Sequence, residues 1–173
     1  DTGELIWTVK TQQSLLRSQK KQSLILNNDK VYFSNSIGDV TAVNISSGEV
    51  IWQTPTQSNV TFTNTYFLKL SDIVSDKDAI FVSNNNNQFF SIDISTGSFN
   101  WETKINSNLR PTLIGNTLFT ISQEGYLFLI EKKNGNIIRV TDLFDNFKRK
   151  KRDLIKPTGF ILGKSKIYIS TNN

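Results

Sequence analysis

The sequence predicts an all-β protein, a β-propeller built from four-stranded antiparallel blades. The main observation is a repeated turn motif whose glycines are Gly3, Gly48, Gly97 and Gly135, spaced by 45, 49 and 38 residues. A second series of apolar, strand-like segments begins at residues 31, 79 and 117, in step with the glycines. No segment shows a convincing helical period. Units of four strands that repeat every ~40–45 residues are typical of propeller blades.

The repeats divide residues 1–173 into strands and blades in order. The last strand of a blade is expected at residues 1–10. Complete blades are expected at residues 23–54, 71–103 and 110–140, and the first strands of a further blade at residues 158–173. In the first complete blade, β-branched and aromatic residues alternate between turn-forming residues, which predicts strands at about 23–27, 31–35, 40–45 and 50–54. This count predicts a fragment of a larger, eight-bladed ring. Because an open arc would expose apolar blade faces, we expect it either to self-associate or to belong to a longer protein.

The repeated tryptophans and glycines are expected to dock neighbouring blades. Trp7, Trp52 and Trp101 each follow the motif glycine by four residues. A shared repeat position favours packing between sheets over a stack that holds a cofactor. Arg139 replaces the fourth tryptophan, and its alkyl stem is expected to cover the same groove. The motif glycines are expected to take positive φ, which other residues adopt only at a cost.

The composition excludes several kinds of active site. The chain contains no Cys and no His, which rules out thiolate and imidazole metal ligands, a Ser-His-Asp triad and a Cys nucleophile. The acidic residues at strand and turn positions show no pairing that would indicate acid–base chemistry. We therefore expect no catalytic residues, no metal and no cofactor. The formal net charge of +5 indicates no particular partner by itself.

Several segments resemble a known repeat family. The pattern at residues 31–52, with a valine-tyrosine strand, a Ser-Gly-Glu turn and a final tryptophan, resembles the PQQ-like, tryptophan-docking propeller repeat. Three further segments resemble one branch of it, the BamB family of outer-membrane β-barrel assembly lipoproteins. They are Ser-Leu-Leu-Arg at residues 14–17, Lys-Leu-Ser-Asp-Ile at residues 69–73 and Glu-Gly-Tyr-Leu-Phe at residues 124–128.

The resemblance implies a non-catalytic scaffold that binds a protein partner. In that family, the leucine-arginine loop and the acidic segment hold the periplasmic repeats of the central barrel-assembly protein. The matching residues here are Leu15, Leu16, Arg17 and Asp72, with Val74 where the family has a second acid. The resemblance also implies a periplasmic location, associated with the outer membrane, for a lipoprotein.

The expected topology groups these residues without reference to the family. Both segments lie in a connection from the fourth strand of one blade to the first strand of the next. In an up-and-down sheet such connections emerge at one rim, which would bring Arg17 and Asp72 side by side. The connections at residues 55–70 and 141–156 share this rim and are longer than a turn requires, as binding loops often are.

A run of five cations lies in the last of these connections. It consists of Lys148, Arg149, Lys150, Lys151 and Arg152. The favoured interpretation is a solvated loop, because like charges repel. Contact with anionic lipid headgroups or an acidic partner is the next alternative, and nucleic acid is the least favoured because no aromatic stacking platform accompanies the run.

Two other functions stay open for this fold. A fragment of a quinone-dependent dehydrogenase would share the repeat. Such enzymes resemble one another in having a vicinal disulfide and a metal held by acidic and amide side chains. This sequence has no Cys and shows no convergent set of Asp, Asn and Glu residues, which disfavours the enzyme. A propeller sensor or adaptor domain is the other alternative, because a fold does not imply a function.

Overall fold

The computed structural model describes residues 2–11, 23–57 and 68–172, and these form almost only β-structure. Three four-stranded antiparallel sheets follow one another along the chain, and a two-stranded sheet comes after them. Within each sheet, strands that are adjacent in sequence are hydrogen-bonded neighbours. Each sheet is therefore an up-and-down meander, and the predicted all-β class is confirmed.

The strands have the following bounds. The first blade consists of β1 (Leu24–Asn27), β2 (Lys30–Ser34), β3 (Val40–Asn44) and β4 (Val50–Thr54). The second consists of β5 (Val74–Ser75), β6 (Ala79–Asn84), β7 (Gln88–Asp93) and β8 (Phe99–Thr103). The third consists of β9 (Thr112–Ile114), β10 (Thr117–Ile121), β11 (Tyr126–Glu131) and β12 (Ile137–Asp142). A helical turn, α1 (Arg149–Arg152), precedes the hairpin of β13 (Pro157–Leu162) and β14 (Ile167–Thr171).

The strands of the first blade lie within one residue of their predicted positions, but other elements differ from expectation. β5 is only two residues long. The turn α1 lies inside a connection where no helix was expected, because four residues are too few to show a helical period. Residues 2–11 are not hydrogen-bonded as a strand within the described part of the chain, so their place as the last strand of a blade stays a prediction.

The turn between the third and fourth strands is built alike in the first two blades. Asn44 and Asp93 end the third strands, and their side-chain oxygens accept hydrogen bonds from backbone N–H groups two and three residues on, at 2.8–3.0 Å. The bonds from Thr96 hold the pKa of the Asp93 carboxyl below its ordinary value. The motif glycines then take positive φ, +73° at Gly48 and +77° at Gly97, as the sequence predicts.

The hydrophobic core lies between the blades, and the inner strands β6 and β7 of the second blade are buried on both faces. Along β6, Ile80 and Val82 pack toward the first blade, and Ala79 and Phe81 pack toward the third. This alternation follows from the two-residue period of a strand. A strand that is covered on both sides favours apolar side chains on both faces, which explains the Ala-Ile-Phe-Val run in the sequence.

Candidate functional site

The contacts between blades repeat around tryptophan and glycine. A Cβ atom added at Gly97 would lie 2.7 Å from the indole ring carbons of Trp52. An added Cβ would come within 2.6 Å of Trp101 at Gly135, and within 2.6 Å of Trp7 at Gly48. Each indole thus occupies the space that a side chain would need in the next blade. Only glycine leaves that space open.

Hydrogen bonds hold each indole in place. The Nε1–H of Trp7 donates to the Ile45 carbonyl at 2.8 Å, and the Nε1–H of Trp52 donates to the Ile94 carbonyl at 3.2 Å. The Nε1–H of Trp101 donates to the Lys132 carbonyl at 2.8 Å.

Threonines placed two residues after Trp52 and Trp101 add a second bond between blades. The Thr54 hydroxyl donates to the Gly97 carbonyl at 2.5 Å, and the Thr103 hydroxyl donates to the Gly135 carbonyl at 2.8 Å. Two members of the motif lie outside such a contact. Gly3 has no atom of the described residues within 4 Å of an added Cβ, and Arg139 is exposed.

One edge of the blades collects the long connections. Thr54 pairs with Val40, and Asp142 pairs with Tyr126, so each fourth strand ends beside the turn between the second and third strands. We call this edge the loop rim, and it comprises residues 35–39, 54–57, 68–73, 84–88, 104–111, 122–126 and 142–156. The opposite rim carries the motif glycines.

Hydrogen bonds fasten the connections to the turns of the loop rim. The backbone of Lys69 exchanges bonds with Asn85, accepting from its N–H at 3.1 Å and donating to its Oδ1 at 2.7 Å. One blade further, Ser107 N–H donates to the Asn84 carbonyl at 3.2 Å, and Gln123 N–H donates to the Asn106 carbonyl at 2.9 Å. The described residues of these connections are therefore ordered parts of the scaffold.

Asp72 lies on the loop rim, two residues before β5, and is half-buried. Its neighbours are held firmly, because the buried Ser71 hydroxyl accepts a bond from Ser83 N–H at 2.9 Å and Ile73 N–H donates to the Ser23 hydroxyl at 2.9 Å. The other predicted contact residues, Leu15, Leu16 and Arg17, lie outside the described residues. Their proximity to Asp72 therefore stays a prediction.

The connection at residues 143–156, here called the basic loop, is anchored at both ends. Near its start, buried Phe144 packs against Gly125, whose φ is +89°. Near its end, Ile155 is buried. The basic loop therefore has a fixed base on the loop rim.

Arg152 ties the helical turn α1 to the third blade. Its guanidinium forms an ion pair with Asp142 at 2.5 Å and a hydrogen bond to the Tyr126 hydroxyl at 3.3 Å. Desolvation acts to lower the pKa of Arg152, but the hydrogen bond and the charge of Asp142 outweigh it and hold the pKa above its ordinary value. Lys151 lies 4.9 Å from the centre of the Phe147 ring. The predicted solvated loop is thus partly an ordered turn.

An open cleft of about 470 Å³ lies under the basic loop. It is lined by Glu124, Tyr126, Phe147, Arg149, Arg152, Asp153 and Lys156. Its lining mixes acids and bases, so the cleft has no single charge preference. Within the described ranges, no group of three or more acidic side chains is arranged to hold a metal ion, and no helix has the length and hydrophobicity to cross a membrane.

An ion pair at the opposite rim joins the blades and was not predicted. Asp76 accepts from the Lys132 ammonium of the third blade at 2.7 Å, and its backbone carbonyl accepts from the Asn27 amide of the first blade at 3.0 Å. Partial burial acts to raise the pKa of Asp76. Bonds from Lys132 and from the N–H groups of Asp78 and Ala79 outweigh this effect and lower the pKa. The partners are 56 residues apart, and no sequence pattern links them.

Comparison with known proteins places the chain in a family. A family model described as "Outer membrane protein assembly factor BamB" matches residues 1–141. The crystal structure of BamB from Moraxella catarrhalis matches with a TM-score of 0.77 and 13% identity, over 98% of this chain and 50% of that one. No curated protein matches the sequence.

Two enzymes share the fold more distantly. The quinohemoprotein alcohol dehydrogenase from Comamonas testosteroni matches with a TM-score of 0.54 and 14% identity, over 69% of this chain and 20% of that one. A europium-containing methanol dehydrogenase matches with a TM-score of 0.55 and 14% identity, over 69% of this chain and 24% of that one. At these identities the structures show the fold alone, and the chain spans about half the length of the BamB structure. The β-propeller class predicted from the sequence is confirmed, and the chain belongs to the family described as outer membrane protein assembly factor BamB.

Proposed function

We propose that the chain is part of a non-catalytic scaffold that assists the assembly of outer-membrane β-barrel proteins by binding another protein. The partner is the set of periplasmic domains of the central barrel-assembly protein, and the scaffold is a periplasmic lipoprotein associated with the outer membrane. The family match over residues 1–141 supports this proposal. No cofactor and no catalytic residue take part.

The observation that carries the proposal is the ordered loop rim. Its connections are bonded to the neighbouring turns through backbone groups, at 3.1 Å between Lys69 and Asn85 and at 2.9 Å between Asn106 and Gln123. Loops that a rigid sheet framework holds in place lose little conformational entropy on binding, which favours protein recognition. The interblade contacts of Trp52 and Trp101 supply that rigidity.

The proposed contact surface consists of Leu15, Leu16, Arg17 and Asp72. Asp72 follows Ser71, which is 1% exposed, so the backbone that carries its carboxylate is held by the core. An arginine and an aspartate on adjacent connections offer charges of both signs, and leucines beside them offer apolar area. Such a combination is typical of an interface with a polar rim and a few anchors.

Isothermal calorimetry with the periplasmic domains of the barrel-assembly protein tests the proposal. We expect saturable binding by the unmodified protein. Arg17→Glu or Asp72→Lys should weaken it by about tenfold or more, because like charges would then oppose each other across the interface. Each variant reverses one charge on the proposed surface.

Matched charge reversals at the opposite rim serve as controls. Lys133→Glu and Glu49→Lys change the net charge equally, and both residues are exposed in turns that lead into fourth strands. We expect both controls to bind like the unmodified protein. Absence of binding by the folded, unmodified protein would refute the assembly role, and equal losses in test and control variants would refute the proposed surface.

The dehydrogenase matches support a second candidate, a fragment of a quinone-dependent enzyme. The residues do not fit it well, because the chain has no cysteine for a vicinal disulfide and the described part offers no metal-ligand cluster. Pyrroloquinoline quinone added with Ca²⁺ tests this alternative through the absorbance of the quinone. Stoichiometric uptake would favour the enzyme over the scaffold. A sensor or adaptor role is the third candidate, and a catalytic domain joined to the propeller would favour it.

A further inference from the structure

The basic loop concentrates positive charge on the loop rim. Residues 143–156 contain six of the chain's 20 Lys and Arg residues and two acids, a net charge of +4 in a chain whose formal charge is +5. Within the described residues, Arg152 is the member of the run that forms an ion pair. Most of the charge of the run is therefore directed to solvent or to a partner.

The basic loop carries exposed cations beside exposed apolar side chains. No residue of α1 is buried, and Lys148, Arg149 and Lys150 are all exposed. Beside them, Leu154 is 66% exposed and Phe147 is 39% exposed. Exposed leucine and phenylalanine next to a lysine-arginine cluster are the composition of a surface that inserts shallowly between lipid headgroups.

Both ends of the basic loop are anchored, so its exposed cations and apolar side chains keep a fixed arrangement. Phe144 and Ile155 are each 6% exposed, and the Arg152–Asp142 ion pair joins α1 to the end of β12. Because both ends are held, ordering the loop on a flat partner would cost little conformational entropy. A loop without these anchors would have to be ordered on binding, and the loss of conformational entropy would offset much of its attraction to the partner.

We propose that the basic loop docks the protein on an anionic phospholipid surface. Lys148, Arg149 and Lys150 lie at the lipid phosphates, and Leu154 and Phe147 enter the headgroup region. This inference is independent of the protein partner proposed above. A lipid surface fits better than an acidic peptide, because it would take up exposed Leu154 and Phe147 as well as the cations, whereas an acidic peptide would contact the cations alone.

Co-sedimentation with vesicles tests the proposal. The probes are vesicles of phosphatidylcholine alone and of phosphatidylcholine mixed with phosphatidylglycerol. We expect binding to the mixed vesicles, weakened by added salt through screening. Each cation near an anionic surface strengthens binding roughly fivefold, so the triple variant Lys148→Gln, Arg149→Gln, Lys150→Gln should bind about a hundredfold more weakly. Leu154→Ser leaves the charge unchanged and should also weaken binding.

A triple variant with the same change of charge is the matched control. Lys133→Gln, Lys164→Gln, Lys166→Gln replaces three exposed lysines in turns of the opposite rim. We expect it to bind like the unmodified protein, and circular dichroism should show both triple variants to be folded. Equal binding to the two vesicle types, or equal losses in the two triple variants, would overturn the proposal. Capture by poly-glutamate without vesicle binding would overturn it as well and would identify an acidic polypeptide as the partner.

Discussion

Replacing Gly97 with alanine tests whether the tryptophan contact sets the joint between blades. Gly97 is buried and has φ +77°, and a Cβ at that position would lie 2.7 Å from the indole of Trp52. The indole cannot withdraw without losing its packing and its bond to the Ile94 carbonyl. The substitution should therefore strain both the backbone and the contact between the first and second blades.

The expected loss has two parts. Alanine in the left-handed region costs about 1–2 kcal/mol. Displacing Trp52, with the 2.5 Å bond from Thr54 to the Gly97 carbonyl beside it, adds about 1–3 kcal/mol, the usual range for overpacking a well-filled core. We expect Gly97→Ala to lower the free energy of unfolding by about 2–5 kcal/mol in total.

Urea denaturation monitored by tryptophan fluorescence measures this loss of unfolding free energy, and Gly115→Ala is the matched control. Gly115 also has positive φ, at +57°, but an added Cβ there would have no atom of the described residues within 4 Å. The control therefore carries the backbone cost alone, and alanine changes the unfolded chain alike in both variants. If Gly97→Ala were no more destabilising than Gly115→Ala, the docking role of the glycine would be refuted.

Two further predictions concern bonds between blades. Thr103→Val removes the hydroxyl that donates to the Gly135 carbonyl at 2.8 Å, so we expect a loss of about 1–2 kcal/mol in urea denaturation, and an unchanged free energy would contradict the role of this bond. Asp76→Asn should cost about 1 kcal/mol near neutral pH by weakening the bond to Lys132. Because folding lowers the pKa of Asp76, its stabilisation is complete above the unfolded-state pKa of about 3.9 and is lost as the pH falls through the folded-state pKa. Between neutral pH and about pH 3, the free energy of unfolding should therefore fall less in Asp76→Asn than in the unmodified protein. Equal falls in the two proteins would contradict a stabilising role for the Asp76 carboxylate.

Local patterns were sufficient to predict the blades. A turn with a positive-φ glycine needs only a few neighbouring residues, and short turns bring consecutive strands together as an antiparallel meander. The same reasoning predicts that the long connections share one rim, and the pairing of Thr54 with Val40 and of Asp142 with Tyr126 agrees with it. The contact of Arg17 with Asp72 stays a prediction, because Arg17 lies outside the described residues.

Contacts between distant residues could not be predicted in this way. Asp76 and Lys132 are 56 residues apart, and Arg152 and Tyr126 are 26 residues apart. Neither pair occupies a repeated position, and both form because neighbouring blades or a connection bring the residues together. The helical turn α1 was missed for a related reason, since four residues carry no period.

The sequence by itself determined the architecture: the repeated glycines and tryptophans specify the strands, the turns and the surfaces on which one blade meets the next. They can do so because each repeat uses local turn chemistry and the same residue positions. Only the tertiary structure decided which charged side chains are engaged in contacts and which remain available. In the basic loop, the anchoring of Arg152 by Asp142 leaves Lys148, Arg149 and Lys150 exposed. That division depends on how β12 and the loop fold against the third blade, a non-local arrangement that a run of five like charges does not encode.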